Sequence, residues 1–280
     1  MRFQRMSLEE WFDKHQYRIT YDIGESAIAC LSLEELDLDL RRLKLRYGYH
    51  AGNPRLRERI AELYPGLSGN NVLVTNGCAE ALFDLSATLL QPGDHVVVQH
   101  PNYPSNYEVP RSLSCHVDML YLKFDEGFQL NLERLRGLIT PKTKFVSLTY
   151  PNNRTGATIS EDTLREIIAL VEAKDCYLVF DETYRELTLG DPLPPAASLS
   201  PKAVSVSTMS KAYGLPGIRI GWLATQDQAL LQKVLATREQ VSICNSVLSE
   251  EIACYMLGRR DEHLRKVKNH IAGNYRILKE

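Results

Sequence analysis

Along most of this chain, short runs of consecutive apolar residues alternate with longer stretches in which apolar residues recur every three or four positions. Short continuous runs of Val, Ile and Leu predict strands buried on both faces, and the second pattern predicts amphipathic helices. The runs "NVLVT" (71–75), "HVVVQ" (95–99), "CHVDMLYL" (115–122), "KFVSLTY" (144–150), "YLVFD" (177–181), "AVSVS" (203–207) and "IRIGWLA" (218–224) read as seven strands. Between them, "PRLRERIAELY" puts Leu56, Ile60, Leu63 and Tyr64 on one helical face. A helix from about Cys78 is broken by Pro92-Gly93, a short one runs near Leu132 to Ile139, and another carries Leu164, Ile167, Ile168 and Val171. From Leu230 onwards the pattern is helical, with Leu230, Leu231, Val234 and Leu235, then Leu248, Ile252 and Tyr255, then Leu264, Val267 and Ile271. No Gly or Pro stop signal precedes Glu280, so the sequence ends as if within an amphipathic helix.

Strands that are apolar throughout, alternating with helices, predict a mostly parallel seven-stranded α/β sheet covered by helices on both faces. Ligands bind such sheets beyond the carboxyl ends of the strands. Five strand ends here carry more than turn residues. "VLVT" runs into Asn76-Gly77-Cys78-Ala79, a glycine turn opening a helix, whose free N–H groups suit an anion such as phosphate. "VVVQ" leads to Tyr103 and Tyr107, and "VSLTY" to Asn153 in "PNNRTG". "YLVF" ends on Asp181 with Tyr184 three residues on, and "VSVS" stops just before Thr208 and Lys211.

The bulk numbers narrow the setting. A net charge of -2 offers no basic face for nucleic acid or a membrane surface. The start "MRFQRMSLEEWFDKHQYR" lacks the apolar core of a signal peptide, and no apolar run is long enough to span a bilayer. Six cysteines without a C-x-x-C pair argue against zinc knuckles and redox motifs, and no metal site is expected. Scattered thiols fit a cytoplasmic protein. The chain has no G-x-G-x-x-G for a dehydrogenase, no G-x-S-x-G for a serine hydrolase and no H-E-x-x-H for a zincin. Thr208 stands where a serine–lysine β-lactamase pairing needs serine.

Taken singly, each strand-end residue has an ordinary structural reading. Asp181 could cap a helix, Asn153 to Gly156 could be a turn, Tyr103 could be half-buried core and Lys211 could face solvent. Jointly they match the needs of pyridoxal-phosphate chemistry. A lysine amine forms a Schiff base with the cofactor aldehyde, and a carboxylate keeps the pyridine nitrogen protonated. Backbone N–H groups and a cation hold the phosphate.

"SKAYGLPGIRIGW" resembles the lysine signature of the class I/II aminotransferases, within the fold-type I pyridoxal-phosphate enzymes, and the resemblance extends over essentially the whole chain. It implies Lys211 as the Schiff-base lysine, Arg219 as the phosphate arginine and Thr208 as a phosphate-binding hydroxyl. "DETY" implies Asp181 at the pyridine nitrogen and Tyr184 at the ring oxygen. "NRTG" implies Asn153 at the same oxygen, and Tyr103 is similar to the ring-stacking aromatic. Cys78 and Ala79 match the residues whose amides bind phosphate, although Ala79 lacks the hydroxyl many relatives use. Tyr47 resembles the tyrosine that crosses a dimer interface to the partner's phosphate, which implies a homodimer. Gly24 in "DIGES" matches the glycine beside the substrate carboxylate, with Asn153 also reaching substrate. Within the family, "SLEEWFDKHQYRITYDIGES" is most similar to capreomycidine synthase and its relatives.

The resemblance also implies domains: an N-terminal segment (1–46), a large cofactor-binding domain (47–258) and the start of an interdomain helix (259–280). The family's substrate-carboxylate arginine belongs to a C-terminal small domain beyond these residues. The expectation is therefore a fragment or shortened chain that binds pyridoxal 5'-phosphate but turns over amino acids poorly. Arg154 replaces the family's usual proline and is expected to face solvent. The implied activity is transfer of an amino group between an amino acid and a 2-oxo acid. Two alternatives stay open: a lyase or cyclase on the same scaffold, and a non-catalytic cofactor-binding protein.

Overall fold

The computed structural model of the chain describes Met1–Lys279, and its strands fall where the apolar runs place them. They are β1 (Val72–Thr75), β2 (His95–His100), β3 (His116–Tyr121), β4 (Thr143–Thr149), β5 (Tyr177–Asp181), β6 (Ala203–Thr208) and β7 (Gly221–Thr225). One sheet holds them in the order β1-β7-β6-β5-β4-β2-β3, in which β7 alone runs antiparallel to its neighbours. The carboxyl ends of the other six strands therefore share one edge. The α-helices among the described residues are α1 (Ser7–His15), α2 (Pro54–Ala61), α3 (Cys78–Leu89), α4 (Ser105–Ser112), α5 (Leu132–Leu138), α6 (Glu161–Ala173), α7 (Ala196–Leu199), α8 (Gln228–Val241), α9 (Val247–Leu257) and α10 (Arg260–Lys279).

The strands are apolar throughout because both faces of the sheet are covered. Successive side chains point to opposite faces. Leu73, Val96, Val98, Phe145, Val179 and Leu223 pack on one side with Leu82 and Leu85 of α3 and Leu231 and Val234 of α8. Their sequence neighbours go the other way. Val72, Val74, Trp222 and Ala224 meet Leu56 and Ile60 of α2 and Ile252 of α9, while Val146, Leu148, Leu178 and Phe180 meet Leu135 of α5 and Leu164 and Ile167 of α6.

Several helices begin on a side chain that caps them. Asn53, Asn131, Ser160, Asp227 and Ser246 each accept a hydrogen bond from a first-turn amide. α3 is different: its N-cap is Gly77, which has no side chain to offer. The first amides of α3 stay open.

Three departures from the sequence pattern have local causes. α4 forms between Pro104 and Pro110, in a stretch whose prolines argue against a helix. Pro104 serves as N-cap, and Pro110 sits in the second turn, where its ring forgoes a single bond to Asn106. β7 begins at Gly221 instead of residue 218, because Pro216–Ile218 make a 3-10 turn and Arg219 adopts a left-handed φ of 52°. The long C-terminal helical pattern divides into α8, α9 and α10, and Glu280 lies outside the described residues. Among the described residues no helix is long and apolar enough to cross a membrane, and all six cysteines are free.

Among the described residues one buried carboxylate has no hydrogen-bond partner on either oxygen. It belongs to Asp84 of α3, which is completely buried. Burial pushes its carboxyl up to about 7, with repulsion from Glu80 adding and attraction to Arg238 opposing. A folded pKa above the unfolded one means that the ionised form costs stability. That cost grows as pH climbs from about 4 towards 7 and is complete above it. Asp84→Asn should therefore raise stability at pH 8 by about 1–3 kcal/mol, since each pKa unit is worth about 1.4 kcal/mol and the amide still lacks partners. Urea melts at pH 5 and pH 8 check this: the gain should shrink at pH 5, and an unchanged or lowered stability at pH 8 would refute it.

Candidate active site

The site is built around a backbone contact. β1 ends at Thr75, the chain turns through Asn76-Gly77, and α3 starts at Cys78. Gly221 opens β7 in register with Thr75 on one side and Thr208 on the other. A Cβ on Gly221 would overlap the Gly77 carbonyl carbon and the Cys78 nitrogen. Gly77 has a φ of 80°, and a Cβ there would collide with Nη2 of Arg219. Two glycines thus let a helix start, a strand start and a guanidinium crowd together. Cys78 and Ala79, at the head of α3, have no intrahelical acceptor for their amides. Both line a cavity of about 490 Å³ at the carboxyl edge of the sheet.

Arg219 lines the same cavity, its Nη1 donating to the Pro216 carbonyl at 3.0 Å. Thr208, the last residue of β6, donates its hydroxyl to the Ile220 carbonyl at 2.9 Å and faces the cavity beside Ser210. Lys211 comes next on the β6–β7 connection with its side chain only 25% exposed. Its Nζ donates to Oε1 of Glu25 at 2.6 Å. The lysine reaches the cavity because the residues around it are small or turn away into the core, as Met209, Ala212 and Tyr213 do.

Asp181 ends β5 and is 7% exposed. The Thr183 amide donates to its Oδ1 at 3.0 Å, and among the described residues no basic side chain pairs with it. Burial pushes its carboxyl above the ordinary carboxylate range, the Thr183 hydrogen bonds opposing. Tyr184 lies beside it, its hydroxyl 2.8 Å from Oγ of Ser26. Burial pushes that hydroxyl up to about 12, against the Ser26 bond and with help from Asp181 and Glu25. Tyr103 donates its hydroxyl to Oε1 of Glu9 at 3.0 Å, and burial raises its pKa as well.

Asn153 lines the cavity from a turn fixed by Asn152. The buried Asn152 donates Nδ2 to the Pro101 carbonyl at 3.0 Å and accepts the Thr155 hydroxyl at 2.9 Å. Gly24 is also in the wall, on a turn where Oδ1 of Asp22 accepts the Gly24 and Glu25 amides. Arg154 is exposed to solvent and also lines the cavity, on a backbone with a positive φ of 143°. Tyr47 lies apart from the cavity and is 83% exposed.

Sequence reasoning overlooked one side of the site. Glu9 and Asp13 of α1, with Glu25 and Ser26, line the cavity opposite the strand ends. α1 has no buried residue, so its pattern carries no sign of what it covers. The only signal was the adjacency of Glu25 and Ser26 to Gly24.

These features agree with the comparisons to known proteins. The aminotransferase class I and II family matches residues 20–280. The chain belongs to that family. It is 30% identical over 266 residues to capreomycidine synthase from Streptomyces vinaceus, covering 91% of this chain and 68% of that protein. It is 36% identical over 185 residues to the aspartate/prephenate aminotransferase of Thermus thermophilus, covering 64% of this chain. That alignment spans about half of the Thermus enzyme, 48% of its length. A crystal structure of a pyridoxal-phosphate-dependent aminotransferase from Streptococcus suis superposes with a TM-score of 0.93 at 32% identity, covering all of this chain and 77% of that one.

The protein is thus an enzyme of the pyridoxal-phosphate-dependent superfamily, and its cofactor is pyridoxal 5'-phosphate. The residues present fit that group. Open amides at a helix start beside an arginine suit a phosphate. A buried carboxylate without a cation suits a protonated ring nitrogen. The cavity also holds a lysine and an aromatic wall.

The backbone contact gives a direct test. Gly77→Ala should displace Arg219 and weaken cofactor binding by at least about tenfold, the loss of roughly one charge-assisted hydrogen bond. Gly217→Ala, where a Cβ meets open space, should leave it unchanged. Fluorescence titration with pyridoxal 5'-phosphate checks both, and equal affinities in the two variants would remove Gly77 from the argument.

Proposed function

We propose that this protein is an aminotransferase that moves an amino group from an amino acid to a 2-oxo acid, with Lys211 moving the proton at the substrate's α-carbon. One observation carries the reading: the Lys211 amine and the Asp181 carboxylate open on the same cavity as the free amides of α3. When bound, pyridoxal phosphate supplies a ring that spreads the negative charge left on the α-carbon. The amides of Cys78 and Ala79, the Thr208 hydroxyl and the Arg219 guanidinium would hold its phosphate. Asp181 would keep a proton on the ring nitrogen, for which its burial without a cation supplies the driving force. Asn153 and Tyr184 would donate to the ring oxygen, and Tyr103 would pack on the ring face.

Lys211 then serves as attachment point and as base. Glu25 accepts its ammonium when the lysine is otherwise unoccupied. Gly24 leaves room beside the substrate. Arg154 offers the planar fork that a carboxylate favours, at the mouth of the same cavity.

A second reading has its own support. The fold does not decide which bond changes once the α-proton has left, so a lyase or cyclase can use the same residues. Similarity to capreomycidine synthase supports that reading, and the carboxylates of Glu9 and Glu25 in the cavity wall would favour a substrate with a cationic side chain. Product analysis separates the readings. With amino donors and 2-oxo acids, a transaminase releases a new 2-oxo acid, whereas a cyclase or lyase gives product without consuming the acceptor. Lys211→Ala should lower either rate by at least about a thousandfold, the scale of a lost general base. Turnover that survives this substitution would overturn the assignment of Lys211.

We further propose a homodimer. Leu45, Tyr47 and Tyr49 are exposed, as are Val241, Ile243 and Leu248. The two segments touch, since Gly48 lies against Asn245 and Val247. Contiguous exposed apolar groups of this kind mark association surfaces. Sedimentation should show a dimer, and Tyr47→Phe should weaken cofactor retention without changing assembly. A stable monomer with full cofactor affinity would reject the pairing.

A further inference from the structure

Behind the helix start that faces the cavity lies a buried polar network centred on Arg238 of α8. The arginine is wholly buried. Its Nη1 donates to the carbonyls of His50 and Ile243, and its Nη2 donates to Oδ1 of Asn245. Its Nε faces Oε2 of Glu80 at 3.5 Å. Both polar partners converge on one residue. Glu80 accepts the Asn76 amide on Oε2 and the Asn76 side-chain amide on Oε1 at 3.0 Å. Asn245 donates Nδ2 to Oδ1 of Asn76 at 3.1 Å. Ser242 completes the ring by donating to Glu80 at 2.7 Å.

Asn76 is the residue that sets the turn. Its amide, which belongs to the Thr75–Asn76 peptide, and its side chain are both engaged. Thr75 holds the next two peptides, its carbonyl accepting from the Gly77 amide at 2.9 Å and its hydroxyl donating to the Gly77 carbonyl at 2.9 Å. The turn as a whole cannot rotate without breaking one of these bonds. Its peptide planes decide where the amides of Cys78 and Ala79 point. A glycine-centred turn left to itself would be free to swing, because alternative φ values cost Gly77 little. Nη1 and Nη2 of the buried arginine have their acceptors in His50, Ile243 and Asn245, whereas Nε has no hydrogen-bond partner and meets Glu80 only as an opposite charge, so the guanidinium is held chiefly by its two terminal nitrogens.

We propose that Arg238 is a positioning residue for the phosphate-binding turn, acting through Asn245 and Glu80 on Asn76. The proposal rests on the assignment of the Cys78 and Ala79 amides to the cofactor phosphate. It makes Arg238 responsible for phosphate recognition without contact to the cofactor. The same guanidinium also ties down the carbonyl of His50, three residues beyond Tyr47, so that segment is braced by the same group.

The discriminating readout is the ratio of affinities for pyridoxal 5'-phosphate and for pyridoxal, which lacks the phosphate. Both are measured by absorbance or fluorescence titration on the full chain. Asn245→Ala should lower this ratio about five- to tenfold, the scale of one hydrogen bond relayed to the turn, while leaving pyridoxal affinity unchanged. Arg238→Met should lower it further if that variant folds, and Asn245→Ala decides the matter if it does not. A merely structural role would move both affinities together or neither. A ratio within twofold of the parent in Asn245→Ala overturns the positioning role. Arg219→Met, which removes the cation in the cavity itself, keeps that failure distinct. If it lowers the ratio while Asn245→Ala does not, the phosphate assignment stands and the relay falls. If the parent protein shows no preference for the phosphorylated form, both fall.

Discussion

Gly221 lies directly beneath the turn from Gly77 to Cys78, with no room for a side chain between the two backbones. The rest of the site depends on this contact. Because β7 can approach so closely, Arg219, two residues earlier, stands beside the helix start with its guanidinium against Gly77. Because Gly221 is also in register with Thr208, the end of β6 arrives at the same place. Lys211 comes three residues later, so the anion-ready amides, the cation and the amine are brought together by one pair of glycines. A methyl group at either position would move backbone or the guanidinium and separate these groups.

The chemistry of the site is one of charges that lack their partners. Asp181 is buried without a cation, and the amides of Cys78 and Ala79 have no acceptor in their own helix. Groups left this way cost stability, and a ligand that meets them recovers the cost as binding energy. Lys211 shows the same logic from the other side, since its ammonium takes Glu25 as a partner. Glu25 comes from the N-terminal segment, which lines the cavity with Glu9, Asp13 and Ser26 beside the apolar Leu8 and Phe12. In the proposed reading the strand side serves the cofactor, and the opposite wall is left to meet whatever part of a substrate extends beyond it.

Beneath the site the interior divides into two kinds of packing. The sheet is held by apolar layers in which alternate strand residues enter different clusters, an arrangement tolerant of volume-conserving change. Between the head of α3 and the end of α8 the packing is polar. Arg238 bonds Asn245 and faces Glu80, both of which bond the turn at Asn76, and the charges of Glu80 and Arg238 are also felt by the buried Asp84. Such a network fixes direction in a way apolar packing cannot, because hydrogen bonds fail over small rotations. Its place directly behind the cavity is consistent with a need for direction there.

The strands and the residues at their ends were legible in the amino-acid sequence. Continuous Val and Ile runs can be satisfied only by a sheet covered on both sides, and parallel strands then carry their carboxyl ends to one edge. For that reason Cys78, Tyr103, Asn153, Asp181, Thr208 and Lys211 could be placed together without coordinates. Local chemistry was less legible where proline misleads, as in α4, and where a left-handed residue delays a strand, as Arg219 does before β7. What only the tertiary structure decided is long-range and polar. Glu25 meets Lys211 across 186 positions, and Asn245 meets Asn76 across 169. Neither pair leaves a periodic trace, because an exposed carboxylate and a buried amide look like any other polar residue until the fold brings their partners to them. Periodicity reports burial against a continuous apolar face, and it carries no record of which single polar group lies opposite another.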